Sequence, residues 1–287
     1  MSRIDTTGKF QIWCGLLTLA VMCLAGCTSK APKKQIEAKV ATAKKASTKK
    51  AKPLFTDKHW ALVKAGKLVY PVGIKGAPES VSVTRDFFMK KTEVTQKQWH
   101  ALMGSRPAQF KKCPTCPVER VSWFDAVKYA NRLSAAESKT ACYSAQGIAT
   151  FTPIYTCPGY RLPTEAEWMI AASRYGQTSI GDAQGVLAEN SGQKTHSVGS
   201  KAATTDGVFD LYGNVWEWCH DYYGEWTSGR SVDPVGPATA KMRVARGGSW
   251  RSPGKDLTPF SPRYSHLPAN KAPTRGFRLV RTQTSTQ

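Results

Sequence analysis

The pattern of apolar and polar positions changes character twice along the chain. An apolar run, Ile12–Leu17 followed by Leu19–Met22, occupies the start. Residues 28–53 then carry almost no apolar side chains that could pack. From residue 54 onward, short apolar groups alternate with long Gly/Pro/Ser/Thr stretches. Within that last region the helix signals are few and sharp. Thr95 with Gln98 forms a capping box, in which each side chain satisfies the other residue's backbone N–H. It predicts a helix with Trp99, Leu102 and Met103 inward, stopped at Gly104. Ser122 with Asp125 predicts a second helix, with Val127, Ala130 and Leu133 on one face. Thr164 with Glu167 predicts a third, with Trp168, Ala171 and Ala172 inward and Gly176 beyond its end. Short strands are expected at 67–72, 86–91, 243–246 and 276–281. The pattern describes an α+β domain over residues 54–287, loop-rich, with few short helices and strands. Loops of that extent need pinning by aromatics, metal or disulfides.

Composition narrows the class. Of 287 residues 41% are hydrophobic, with nine Trp, ten Tyr and ten Phe, which excludes a disordered chain. Only the N-terminal run is apolar enough to enter a bilayer, which excludes a polytopic membrane protein of helical type. Arg3 and Lys9 precede that run, and it ends in small residues, as an export signal does. Leu24-Ala25-Gly26-Cys27 resembles the bacterial lipoprotein box. The resemblance implies a signal peptide at 1–26, cleavage before Cys27 and lipidation of its thiol, with several acyl chains giving firm membrane attachment. Thr28, in place of the aspartate that favours inner-membrane retention, directs the expectation to the outer membrane of a bacterial cell envelope.

The formal charge of +21 is unevenly placed. Residues 27–53 contain nine lysines against the single acid Glu37. They read as an extended tether whose like charges repel. Such a segment serves as a solvated spacer or is attracted to anionic lipid or envelope polymer. Nucleic acid is not an expected partner of an exported protein.

Besides Cys27, the cysteines beyond the signal are Cys113, Cys116, Cys142, Cys157 and Cys219. Export places them where disulfides persist. Cys142–Cys157 and Cys113–Cys116 are the expected pairs, with Cys219 a buried free thiol. A zinc site would want a second CxxC or a histidine pair at ligand spacing, and neither is present.

Several segments together carry a family resemblance: Lys90–Thr95 followed by Trp99, Pro117–Trp123, Tyr160–Trp168, Asp210–Trp218, Arg246-Gly247-Gly248-Ser249-Trp250 and Arg275-Gly276-Phe277-Arg278. This series resembles the formylglycine-generating enzyme family, or sulfatase-modifying factor domains. The resemblance implies a C-type-lectin-like fold with bound calcium. Its calcium ligands would be the Asp210 and Glu217 carboxylates with the carbonyls of Gly213 and Val215, hard oxygens of the kind calcium takes. The same carboxylates are also compatible with a cap or ion pair beside a tryptophan core. The resemblance further places Trp216, Ser249, Trp250, Arg263 and Arg275 around a groove. Aromatics and arginines suit peptide or anionic ligands, although the arginines are equally suited to internal ion pairs.

The sequence departs from the enzyme at the step that matters. The family's aerobic enzyme oxidises a protein cysteine to formylglycine with copper(I) held between two cysteines just beyond the Gly-Gly-Ser-aromatic motif. Soft thiolates are what copper(I) prefers. Those positions fall on Ser252 and Leu257, and no cysteine follows Cys219. No copper is therefore expected and no catalytic residue is assigned. The five histidines are scattered, and Ser249 lacks the Gly-x-Ser-x-Gly elbow of a hydrolase. The expectation is a non-catalytic envelope lipoprotein binding a protein, peptide or glycan, with a cysteine-modifying oxidoreductase as the rival reading.

Overall fold

The computed structural model describes residues 54–71, 77–176, 181–226, 229–258, 260 and 263–283. The expected signal peptide, Cys27 and the lysine-rich tether lie outside the described residues. In chain order the elements are β1 (Trp60–Val63), β2 (Gly66–Val69), β3 (Ser80–Val83), β4 (Phe87–Lys90), α1 (Gln96–Met103), α2 (Trp123–Ala136), β5 (Tyr160–Arg161), α3 (Glu165–Ser173), β6 (Gly185–Val186), β7 (Tyr212–Gly213), β8 (Trp216–Tyr222), β9 (Arg230–Val232), β10 (Arg243–Arg246), β11 (Tyr264–His266), β12 (Arg275–Gly276) and β13 (Val280–Thr282). Two four-stranded sheets organise them, in the orders β1-β4-β13-β5 and β11-β10-β8-β12. The smaller sheets are β2-β3-β9 and β6-β7.

The three helices start where their side chains satisfy the first free amides. Thr95, Ser122 and Thr164 each accept from the backbone N–H three residues on, and Gln98, Asp125 and Glu167 return the bond. Such a cap contributes about 1 kcal/mol. Gly104 ends α1 in the left-handed conformation, at φ +76°. The strand expected at 243–246 is β10. The one expected at 276–281 is divided. β12 pairs with β8 in one sheet and β13 pairs with β4 and β5 in the other. Between them Phe277 and Leu279 are buried in one core and Arg278 turns the opposite way, so the segment crosses between sheets.

Two cores result. The first packs around α1 and α2, where Trp99 stacks on Tyr129 at 5.5 Å and Phe277 meets both rings edge-on. The second packs around α3, with Trp168, Met169, Ile170, Leu211, Tyr212 and Val280. Cys142–Cys157 and Cys113–Cys116 are disulfide-bonded, and Cys219 is free and buried. The larger staple closes a 15-residue separation, worth about 3 kcal/mol in the chain-entropy account. No described helix is long and apolar enough to cross a membrane.

Helix α3 departs from the one-sided pattern expected of it: eight of its nine residues, Glu165 to Ala172, are buried. Its acids are therefore neutralised by arginines from elsewhere. Glu167 accepts from both Arg161 Nη nitrogens, at 2.6 and 2.7 Å. Glu165 lies between Arg246 and Arg263, at 2.8 and 2.7 Å. Asp221 caps the same helix end by accepting from the Glu165 amide at 2.8 Å, and it makes no ion pair among the described residues. Burial first, and Glu165 second, push its carboxyl up to about 8.

An acid whose folded value is raised supplies stability that is full below its unfolded value and is lost as pH rises through the folded one. For Asp221 that window runs from the ordinary carboxylate range to about pH 8. Asp221→Asn keeps an acceptor for the Glu165 amide and removes the ionisation. In thermal melts, the variant's Tm minus the parent's should increase between pH 5 and pH 9. A difference that stays flat would show that Asp221 does not hold its proton.

Candidate functional site

Strand β8 is the divider of the molecule. Its residues run Trp216-Glu217-Trp218-Cys219-His220-Asp221, all buried. Side chains alternate across a strand. Trp216, Trp218 and His220 therefore share one face, and Glu217, Cys219 and Asp221 the other. Trp216 and Trp218 belong to the first core and Cys219 to the second.

The acidic face is locked by arginine. Glu217 holds Arg278 through two bonds, Nε to Oε2 and Nη2 to Oε1, both 2.6 Å. Trp168 Nε1 adds a third at 2.9 Å. The remaining Arg278 donors reach the carbonyls of Lys90, Lys91 and Phe209, at 3.1, 3.2 and 2.8 Å. Beside this pair lie Lys90, Glu93 and Asp210, all buried. Three carboxylates thus face two cations, an excess of one negative charge. Neither Glu93 oxygen has a donor among the described residues, and the carboxyl of Asp210 lies within hydrogen-bonding reach of it. Burial is the main cause that raises both acids; Asp210 raises Glu93 further, while the contact with Glu93 holds Asp210 down, the pattern of two carboxyls that share a proton. Lys90 donates to the carbonyls of Thr92 and Glu93 and to the Thr92 hydroxyl.

This arrangement engages both carboxylates of the expected calcium set of Asp210, Gly213, Val215 and Glu217. Both Glu217 oxygens are already occupied by a guanidinium, and a dication placed on them would meet Arg278 at close range. Asp210 Oδ2 accepts from the Gly199 amide at 2.6 Å, and its other oxygen faces Glu93. The Gly213 turn has a packing cause instead: at φ +81°, an added Cβ would lie 2.1 Å from the Val186 carbonyl of the neighbouring strand. The residues present therefore do not fit calcium as the resemblance implied.

The aromatic face is the candidate binding site. Tyr264, half exposed on edge strand β11, packs on Trp216 at 4.7 Å, and His266 meets Trp218 edge-on at 6.0 Å. Arg275 pairs with Trp216 in the β12–β8 register and lays its guanidinium 4.8 Å from the Trp218 ring centroid. Its side chain makes one long bond, to the Asn270 carbonyl at 3.4 Å, and its Nε has no partner. Arg275 has no carboxylate partner among the described residues. Burial lowers it to about 10, so it stays charged at neutral pH. Trp250 joins the same neighbourhood by donating Nε1 to the Pro273 carbonyl at 3.1 Å, while the Trp216 amide donates to Thr274 at 2.8 Å. Phe110 closes edge-on against Trp250 at 5.3 Å.

Two expected groove residues lie elsewhere. Ser249 is interior, its amide bonded to Ser252 Oγ and its own Oγ accepting from Arg251, so it builds a turn. Arg263 is drawn off by Glu165 through three contacts of 2.7 to 2.9 Å and lies against Tyr223 and Trp226. Tyr264, His266 and Phe110 are site residues that sequence reasoning missed. They come from segments between the motifs, and no local pattern marks them. The adjacent pair His220 and Asp221 takes opposite faces: the ring meets the Tyr143 hydroxyl at 3.4 Å, and burial lowers it to about 3, leaving it neutral.

Ser252 and Leu257, where the resembled enzyme has its thiols, are brought together by the fold. A Cβ added at Gly248 would lie 2.8 Å from Leu257 Cδ1 and 3.2 Å from Ser252 Cβ. Both side chains lie against Gly248, and they offer a hydroxyl and a buried isobutyl group. Neither suits copper(I). Burial pushes the Cys219 thiol well up, away from the thiolate form that binds soft metals.

Comparison with known proteins places this geometry in a family. Residues 44–283 match the sulfatase-modifying factor enzyme 1-like domain. Chaperone protein LppX of Paenibacillus barcinonensis is 32% identical over 239 residues, covering 69% of this chain and 81% of that protein. The formylglycine-generating enzyme of Thermomonospora curvata is 33% identical over 162 residues, covering 48% of this chain and 45% of the enzyme, so the match spans less than half of the enzyme's length. Among solved structures, Treponema denticola variable protein 1 superposes with a TM-score of 0.67 at 28% identity, over 77% of this chain and 94% of that one. The chain belongs to the formylglycine-generating enzyme, or sulfatase-modifying factor, family and has its loop-rich α+β, C-type-lectin-like fold.

Proposed function

We propose that this protein is a non-catalytic, lipid-anchored component of a bacterial envelope whose domain binds a protein, peptide or glycan through the aromatic face around Trp216, Tyr264, Trp250 and Arg275. The observation that carries the reading is the pair Ser252 and Leu257, which meet at Gly248 where a cysteine-oxidising relative needs two sulfurs. An unpaired arginine laid on a tryptophan supports a ligand with an anionic group beside an apolar one. The chaperone name of the relative that matches over most of both chains supports a polypeptide as that ligand. The anchor is the lipidated Cys27, and the lysine-rich tether at 27–53 is drawn to anionic lipid or envelope polymer, with the outer membrane as the site of attachment.

The rival reading is a formylglycine-generating oxidoreductase, favoured by the enzyme relative at 33% identity. Incubation of the purified protein with a cysteine-containing sulfatase peptide, cuprous ion and oxygen separates the two. No peptide aldehyde should be detected by mass spectrometry, and cuprous ion should bind no more tightly than to a Cys219→Ser variant. Aldehyde formation on turnover would contradict the binding-only reading. For the anchor, Cys27→Ser should move the protein from the membrane fraction to the soluble fraction. Unchanged membrane retention would rule the lipid attachment out.

A further inference from the structure

A second cavity lies on the loop that connects α1 to Pro117, away from the acidic cluster of β8. It holds about 250 Å³ and has Trp99 and Val118 in its wall, with the Gln96 side chain at its edge. Arg106, Lys111 and Lys112 line it as well. All three are exposed, and none makes an ion pair among the described residues. The acid closest in sequence to this loop is Glu119. It is buried, it accepts from the Phe110 amide at 2.9 Å, and burial pushes it up to about 7, so it offsets little of their charge.

The loop that carries these cations is held in place before any ligand arrives. Gln96 donates to the Phe110 carbonyl at 2.9 Å, and Trp99 Nε1 donates to Ser105 Oγ at 3.0 Å. The amides of Gln96 and Lys97 donate to Cys116 and Pro114, and the Cys113–Cys116 disulfide closes the far end. Lys112 itself sits at φ +68°, a conformation that glycine adopts at less cost. A lysine kept at such a position presents its charge where a glycine would have built the turn more easily. Unpaired cations on a pinned frame, around a partly apolar cavity, make a preorganised receptor for an anion. The volume is below that of a site for a drug-sized ligand, about 300–1,000 Å³, and suits a single side-chain-sized group.

We propose that this cleft is an anion-binding pocket that takes a carboxylate or phosphate carried on a short apolar body. The assignment is distinct from the aromatic face, since none of the residues lining the cavity belongs to that face. Calorimetric titration of the full-length protein with phenyl phosphate, phenylacetate and benzyl alcohol tests it. Both anions should bind, with affinity falling as sodium chloride is raised, and the neutral alcohol should not. Tighter binding of phenyl phosphate assigns a phosphate-bearing ligand, and tighter binding of phenylacetate a carboxylate-bearing one. The triple variant Arg106→Gln, Lys111→Gln, Lys112→Gln should lose at least about tenfold in affinity for both anions without a change in Tm, because the three side chains are exposed. Lys112→Gly guards against a folding artefact: it relieves the left-handed backbone, so Tm should hold or rise while anion affinity still falls. Equal binding of the alcohol, no binding of either anion, or undiminished binding by the triple variant, whose lysine-rich tether is intact, would overturn the proposal.

Discussion

Glu217 and Arg278 form a two-bonded ion pair with no access to water, and the segments that define the fold converge on it. Glu217 sits at the centre of β8. Arg278 comes from the crossing between the two large sheets. Trp168 reaches the same carboxylate from α3, and the carbonyls of Lys90, Lys91 and Phe209 complete the guanidinium's partners. Four of the six sequence segments that carry the family resemblance therefore touch one charge pair. Removing charges from water is costly, and their attraction compensates only where geometry and extra hydrogen bonds are good. In this protein every guanidinium bond direction is used, so the pair acts as a register pin for loops that have little regular structure of their own.

The same logic recurs on the rest of the acidic side. Glu165 and Glu167 are paired with arginines, and burial raises Glu93 and Asp210 towards their neutral forms. The buried acids that look from the sequence like metal ligands are thus balanced from within. What is left for function lies on the opposite side of β8 and on its neighbours, where Arg275 has an aromatic surface and no acid, and where the loop after α1 carries three unpaired cations. Buried Arg275 beside its tryptophans and the exposed Arg106, Lys111 and Lys112 make no ion pair among the described residues, and both places suit an anionic partner.

Much of this was legible in the sequence. The three capping boxes located the helices because the bonds involved are local. The cysteine pairs followed from spacing and export. The six motifs identified the family because their order is itself information. The contacts of the acids in the expected calcium set were not legible, because Asp210 and Glu217 were read beside their chain neighbours, while Glu93 and Arg278 lie more than a hundred and more than sixty residues away. The groove was half legible for the same reason: Trp216 and Arg275 are strand neighbours, whereas Arg263 had an unseen competitor in Glu165. In β8 the alternation of aromatic or histidine with acid or cysteine marks a strand buried on both faces, but that pattern has no apolar–polar contrast to announce it.

The claim that buried acids are balanced by arginine and not by a metal is tested most directly by a double-mutant cycle on the central pair, melted in excess calcium and in chelator. Glu217→Met and Arg278→Met each leave one buried charge unpartnered and should cost about 3–5 kcal/mol. The double variant should cost less than the sum of the two by about 2–3 kcal/mol, with the same values in calcium and in chelator. Additive costs, or a parent Tm that falls when calcium is withdrawn, would contradict the account.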